Sequence, residues 1–221
     1  MKILIFLGSS RESTPPSPPR VGHRLSIFLQ NYLKGQSIQS EIIDPLDYTF
    51  PSIFKPIFSF KKTEAPEDLG KLQEKILQAN GYIMLSPEYN HSMSPTLSHL
   101  LNHFPSTAFS YKPSLICTYS QGQWGGARAA VQMRAFLSEL GCLPVSAMLH
   151  FPHGHQLLTN DGVLNASEDS EKWESYLQHG VGQLSWWMEA CQSQRKVQDP
   201  FELSKPFLKK PSERNAPNRK D

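Results

Sequence analysis

Residues 2–8, "KILIFLG", are apolar almost without interruption, the pattern of a strand buried on both faces of a parallel sheet. From Arg20 the period changes. Val21, Leu25, Phe28, Leu29 and Leu33 recur at helical spacing, so a helix follows the strand. The two patterns then alternate. Residues 38–44 ("IQSEIID") read as a second strand in a more exposed position, and 67–78 as a helix with Leu69, Leu72, Ile76 and Leu77 on one side. "GYIMLS" (81–86) is a third strand, and 95–104 a short helix with Pro95 suited to its first turn. "SLICTYS" (114–120) is a fourth. Residues 126–140 form a helix with Ala130, Met133, Leu137 and Leu140 inward, closed by Gly141. "PVSAMLH" (144–150) is the fifth strand. After a polar loop, 169–194 form a last helix striped by Trp173, Leu177, Val181, Leu184, Met188 and Cys191, with Gly180 and Gly182 weakening it locally. Residues 46–65 carry Phe50, Ile53, Phe54, Ile57, Phe58 and Phe60 in no regular period. They form either an insertion packed on the body or a contact between copies.

The eighteen prolines agree with this division, since they are poorly tolerated inside helices and central strands. They leave 20–44, 67–86, 114–143 and 153–199 free for regular elements. Five strands alternating with helices predict a doubly wound α/β sheet. Such sheets bind ligands beyond the carboxyl ends of their strands, where strand order reverses. The loops after strands one, three and four are therefore the places to look.

Composition narrows the class. At 221 residues with 38% hydrophobic content, the chain suits one soluble domain with a full core. No window reaches the apolar length of a membrane span. The five consecutive apolar residues near the N-terminus are too few for a signal-peptide core. Cys117, Cys142 and Cys191 are widely spaced and odd in number, which favours a reducing, cytoplasmic compartment. Residues 200–221 hold six Lys/Arg and three Asp/Glu, leaving sixteen and seventeen elsewhere, so the body is nearly neutral and only the tail is basic. No basic stripe marks a nucleic-acid face. The expected division is one domain over 1–195 and a disordered, Pro-containing tail over 196–221.

Each of the three loops carries unusual chemistry. "GSSRESTPPSPPRVGHR" offers a turn at Gly8, hydroxyls at Ser9 and Ser10, cations at Arg11 and Arg20, and the N-terminus of the helix that follows. These are the donors a phosphate monoester needs. The stretch lacks both GxxxxGK[ST] and GxGxxG, and the alternative is a serine-rich linker with solvated arginines. "SPEYNHSMSP" (86–95) is a loop in which Pro87 fixes one backbone angle, Glu88 and Asn90 can hydrogen-bond, and Tyr89 carries a flat face. It could hold a planar heterocycle, or simply cap the helix at 95 through Ser94. "YSQGQWGGARAA" sets Gly122, Gly125 and Gly126 around Trp124, a density that lets backbone N–H groups approach a ligand; a plain strand-to-helix turn is the alternative.

With "GSSR", "SPEYNHSMSP" and "YSQGQWGGARAAVQMRAFLSELG" in this order over residues 1–150, the chain resembles the NADPH-dependent FMN reductase family. These are flavodoxin-like proteins that include quinone, azo-dye and chromate reductases. The resemblance implies a five-stranded parallel sheet of order 2-1-3-4-5 with helices on both faces, bound FMN, and NADPH or NADH as hydride donor to a small-molecule acceptor. It also implies a homodimer or homotetramer, with 46–65 and Trp186–Trp187 as candidate contacts. Carried over, Ser9, Arg11 and Arg20 take the FMN phosphate. Pro87, Glu88, Tyr89, Asn90 and Ser92 follow the ribityl chain and ring edge. Ser120, Gly122, Trp124, Gly125 and Gly126 border the pyrimidine end. "STPPSPP" (13–19) departs from the family as an insertion, which ranks Ser10, Ser13 and Ser17 below the first three. Tyr89, Trp124 and Phe109 are the aromatics available to stack over the ring. No protein acid or base is required, because the hydride chemistry belongs to the flavin.

Other readings compete. His99 and His103 lie i, i+4 on a helix, and "HFPHGH" offers His150, His153 and His155, the last group able to edge a flavin pocket. Neither set carries a zinc-protease motif. Ser120 as a nucleophile lacks the G-x-S-x-G context. An FMN-binding or sensor protein without fast turnover would carry the same loops as the enzyme.

Overall fold

The computed structural model describes residues 1–13, 17–61 and 63–203. Strands β1 (Lys2–Leu7), β2 (Gln39–Ile43), β3 (Gly81–Tyr89), β4 (Ser92–Met93), β5 (Pro113–Tyr119) and β6 (Leu143–Phe151) form a sheet of order β2-β1-β3-β5-β6, with β4 paired to β3 alone. Every pairing between the five long strands is parallel. Setting the two-residue β4 aside, this is the expected order 2-1-3-4-5.

Alternation along β1 explains its unbroken apolar run. Ile3, Ile5 and Leu7 face helices α1 (Val21–Gly35) and α7 (Ser170–Val197), while Leu4 and Phe6 face α2 (Glu67–Gln78), α3 (Pro95–Asn102) and α5 (Ala127–Glu139). Both faces are covered, so polar residues have no place in the central strands. At the edge, β2 keeps an exposed Gln39 and buries Ile43, as its mixed polarity foretold. Gly141 closes α5 at φ +100°. Gly180 on α7 is more than a weak point: a Cβ there would lie 3.0 Å from Leu149 Cδ2, so its absence lets the helix settle on β6. Gly182 faces open space.

Several segments differ from expectation. "SPEYNHSMSP" is a hairpin rather than a loop: β3 runs on to Tyr89 and turns back into β4 through Asn90 and His91. Both turn residues take positive φ, 51° and 62°, as a two-residue hairpin turn demands and as asparagine tolerates best. Pro87 fits inside this strand because it lies beyond the last β1 pair, Leu7–Leu85, where one flank of β3 has no ladder to supply. Residues 45–60 contain two single-turn helices, Pro45–Asp47 and Ile57–Ser59. Tyr48, Phe50, Ile57 and Phe60 pack on the core, while Ile53, Phe54 and Phe58 stay exposed. Phe109 is fully buried against Phe6 and Tyr82, which removes it from any ring-stacking role. The chain adds the short helices α4 (Ser106–Phe109), α6 (Gly154–Leu157) and α8 (Pro200–Leu203). Regular structure thus continues past residue 196; the remainder of the predicted tail, 204–221, lies outside the described residues. Among the described residues no helix is long and apolar enough to cross a membrane.

One buried cation serves the scaffold. Lys112 Nζ donates to the carbonyls of Ile76 and Leu77, each at 2.7 Å, and of Ala108 at 3.3 Å, tying together the ends of α2 and α4. Burial, with the nearby Arg195, lowers its ammonium to about 8. Tyr82 Oη also reaches the carbonyls of Ile76 and Ala108, at 3.0 and 3.2 Å, so Lys112→Met strips the donor chiefly from Leu77 O and should cost about 1–3 kcal/mol, read as a shifted urea midpoint with unchanged slope.

Candidate functional site

Strand order reverses between β1 and β3, and a cavity of about 260 Å³ opens at that point beyond the strand ends. It is lined by Ser9 and Arg11 from the first loop, Arg20 and Val21 at the start of α1, Pro87, Glu88 and Tyr89 of β3, and Tyr119, Ser120, Gln121 and His155. Larger cavities, of about 790 and 570 Å³, lie under 49–68 and between α1 and α7. Neither contains any of the predicted site residues.

The first loop is held at both ends. Gly8 N donates to Leu85 O at 2.7 Å, and a Cβ on Gly8 would lie 2.8 Å from that same oxygen, so only glycine permits the approach. Arg20, 7% exposed, donates through one terminal nitrogen to Ser9 O and through the other to the Asp44 carboxylate. Its charge is therefore committed inside the protein, although it lines the cavity. Arg11 remains exposed at the rim. Ser10 shares a hydrogen bond of 2.9 Å with Thr96, and Ser13 Oγ accepts from Arg20 N at 3.3 Å, so both hydroxyls serve the loop itself. Burial pushes the Tyr119 phenol well above its ordinary value, while neighbouring Ser9, Arg20 and Arg11 draw it back.

The hairpin supplies a second wall. Ser94 caps α3 by accepting from Leu97 N at 3.1 Å, as expected, and also donates to Gly8 O at 2.7 Å. Tyr89 is half-exposed at the cavity. Glu88 has a task that its position in sequence does not reveal: its carboxylate accepts from Ala129 N at 3.3 Å and lies 3.9 Å from Arg128. It caps α5 from another strand, since Gly126 at the N-cap has no side chain to do so. Asn90 and Ser92 fall at and after the turn, outside the cavity.

The third loop divides in two. Gly125 and Gly126 are buried with φ of +57° and +84°, and their Cβ atoms would collide with Phe151 N and Thr118 Cβ at 2.9 and 2.8 Å. These glycines pack the turn onto β5 and β6. Gly122 and Trp124 are exposed instead, and a Cβ on Gly122 would meet nothing. Among the described residues, the N–H groups of Gln121, Gly122, Gln123 and Trp124 reach no protein acceptor. Ser120 lines the cavity but donates its hydroxyl to Gly122 O at 3.0 Å, which does not suit a nucleophile.

The histidines separate as well. His103 is buried, stacked on Phe50 with centroids 5.0 Å apart, and His99 packs against it. His150 bonds Thr118 at 2.8 Å, His153 forms a left-handed turn, and His155 alone reaches the cavity. Among the described residues no cluster of His, Cys, Asp and Glu could hold a metal. Sequence reasoning passed over Val21, Tyr119, Gln121 and Asp44; the place of Tyr119 and Gln121 at and just past the end of β5, and of Asp44 just past β2, was the available signal.

These residues fit a phosphorylated ligand with a planar ring. At about 260 Å³ the cavity lies just under the usual range for ligand pockets, roughly 300–1,000 Å³. It suits a phosphate and its chain, with a ring at the rim where Tyr89 (49%) and Trp124 (60%) remain exposed. Residues 1–156 match the family model described as NADPH-dependent FMN reductase. The NADH:(hydroxy)cinnamate reductase subunit CrdA of Vibrio ruber is 30% identical over 139 residues, 62% of each chain. Quinone reductase of Escherichia coli K12 is 37% identical over 75 residues, 33% of this chain and 40% of that protein. The matched stretch thus spans less than two thirds of either relative. Among solved structures, FerB of Paracoccus denitrificans, a flavoenzyme NAD(P)H:(acceptor) oxidoreductase, superposes with a TM-score of 0.61 at 17% identity, over 83% of this chain and 97% of its own. At that identity the likeness establishes the shared fold.

Proposed function

The chain belongs to the NADPH-dependent FMN reductase family, oxidoreductases that use FMN and NAD(P)H, and from this we propose that it passes hydride from NADPH or NADH through bound FMN to a small-molecule acceptor of the quinone, azo or flavin class. The observation that carries the reading is the convergence of Ser9, Arg11 and Arg20 with Pro87–Tyr89 and Ser120 on one cavity at the sheet's switch point. FMN, when bound, supplies hydride uptake and delivery. The chain binds and orients. The first loop and Arg11 hold the phosphate, Pro87 and Tyr89 line the ribityl chain, and the free N–H groups of Gln121–Trp124 offer fixed donors to negative charge at the ring's pyrimidine edge. Exposed Tyr89 and Trp124 border the space through which donor and acceptor enter in turn. The protein works as a homodimer or homotetramer, in which exposed Ile53, Phe54 and Phe58 and the Trp186–Trp187 pair become covered.

The visible spectrum of the purified chain, followed by FMN titration and NADPH oxidation with a quinone, tests this directly. A colourless protein that takes up no FMN would sink the proposal. A holo-protein inert to NADPH and NADH with every acceptor would make it a binding module instead. Arg11→Ala should weaken FMN by about tenfold, the lower end for a charged hydrogen bond at an exposed site; unchanged affinity would remove Arg11 from the phosphate site.

A further inference from the structure

Phe28 and Tyr32 stand i, i+4 on α1, and Ser170, Glu174 and Leu177 stand i, i+4, i+7 on α7, so each helix turns one face to the space between them. The third wall is the turn over 158–165, which is firmly built. Leu158 and Leu164 form an antiparallel bridge, Thr159 N donates to Val163 O at 2.8 Å, and Gly162 N to Thr159 O at 3.2 Å. Gly162, at φ +73°, lies so close to α1 that a Cβ would stand 2.7 Å from Arg24 O. Buried Arg24 donates to Leu158 O at 2.7 Å and fixes the base of the turn. The three walls enclose a cavity of about 570 Å³, inside the usual range for small-molecule sites, roughly 300–1,000 Å³. Phe28, Tyr32, Leu164 and Leu177 make its floor apolar and continuous with the core. The charged groups at its rim are Glu168 and Glu174. Among the described residues, no Lys, Arg or His lines the cavity and neither glutamate has an ion pair. Glu168 is held in place by Trp173 Nε1, which donates to one of its oxygens at 3.0 Å. Burial raises the Tyr32 phenol and the Glu174 carboxylate raises it further, so negative charge bears on the floor as well as the rim. The positive end of α7 is met separately: Asp169 accepts from Lys172 N at 3.1 Å and pairs with Lys172 Nζ at 2.9 Å.

We propose that this cavity is a ligand site of its own and takes a small organic cation, with an ammonium group at the Glu168–Glu174 rim and an aryl or short alkyl body on the apolar floor. An inorganic cation would leave the floor unused, whereas an organic one gains from both the aromatic lining and the carboxylates. An anion of the same shape would be repelled, and a neutral molecule would gain nothing from the rim charges. The flavin cavity at the carboxyl ends of the strands shares none of these residues, so the site stands independently of the FMN reading.

The test titrates the full chain at neutral pH with 2-phenylethylammonium, 2-phenylethanol and 3-phenylpropanoate, a cation, a neutral molecule and an anion of similar body. Trp173 is the reporter, because its indole N–H is held by Glu168; its NMR signal is assigned by its loss in Trp173→Phe. The cation should shift that signal with a Kd of about 1 mM or tighter, and the other two should bind at least about tenfold more weakly. Glu168→Gln/Glu174→Gln keeps an acceptor for Trp173 Nε1 while removing both charges. It should bind the cation about tenfold more weakly, no better than the alcohol, with its urea midpoint held. Glu174→Gln alone, at an exposed position, should lose about threefold or more. No shift with the cation at about 10 mM, equal affinity for cation and alcohol, or undiminished cation affinity in the double variant would each overturn the proposal.

Discussion

Arg20→Met is expected to destabilise the folded chain by about 3–5 kcal/mol, the loss typical of breaking one side of a buried ion pair. Asp44 is 6% exposed and Arg20 7%, so the carboxylate left behind has little access to water. Its remaining support is Leu46 N at 3.0 Å and His23 Nδ1 at 3.8 Å, the latter useful only when protonated. Urea denaturation measures the loss as a lowered midpoint. Arg20→Met/Asp44→Leu should recover most of the loss, because replacing both partners with apolar groups removes the penalty as well as the pair. A double variant no more stable than Arg20→Met alone would mean that the Ser9 carbonyl, rather than the ion pair, carries the stability.

The fold was legible because periodicity and burial act together in a sheet covered on both faces. An unbroken run such as Ile3–Leu7 has one stable environment there, and the prolines fall between elements. The site was legible at the level of loops and less so at the level of side chains. Pro87, Glu88 and Tyr89 do reach the cavity, yet nothing local announces that Glu88 caps a helix beginning about forty residues later. The Arg20–Asp44 pair likewise joins the ends of two elements through a contact made only when α1 packs beside β2. Charged residues in a sequence look available; whether they are depends on non-local partners. The hairpin was missed for another reason. Asn90-His91 is a weaker turn signal than Asn-Gly, and the β3–β4 pairing covers only two residue pairs.

This division between ligand-facing and scaffold-facing groups runs through the third loop too. Glu88 fixes the first turn of α5, and directly before that turn stand Gly125 and Gly126, which seat the loop on the sheet. Hairpin and glycine loop are therefore joined by this hydrogen bond as well as by the packing of α5 on β3 and β4. Two of the three walls of the cavity are coupled in this way, and the third is tied to them by Ser94 through Gly8.

Two glycines four residues apart should consequently respond to alanine in opposite ways. Gly126→Ala places a Cβ 2.8 Å from Thr118 Cβ and 3.2 Å from Tyr119 N at φ +84°, with strand backbone on one side that cannot yield. Left-handed strain of about 1–2 kcal/mol and overpacking of about 1–3 kcal/mol together predict a loss of stability of about 2–5 kcal/mol. Flavin binding should fail with it, because the turn must lift from β5. At Gly122 the new methyl meets no protein atom within 4 Å, so stability should stay within about 0.5 kcal/mol. If the ring lies against the 121–124 turn, that methyl occupies the space between ring and backbone, and FMN affinity falls while the urea midpoint holds. Equal FMN affinity in Gly122→Ala and the unaltered chain would place the ring elsewhere on the rim, and would leave the loop's density of glycine explained by packing at 125 and 126 alone.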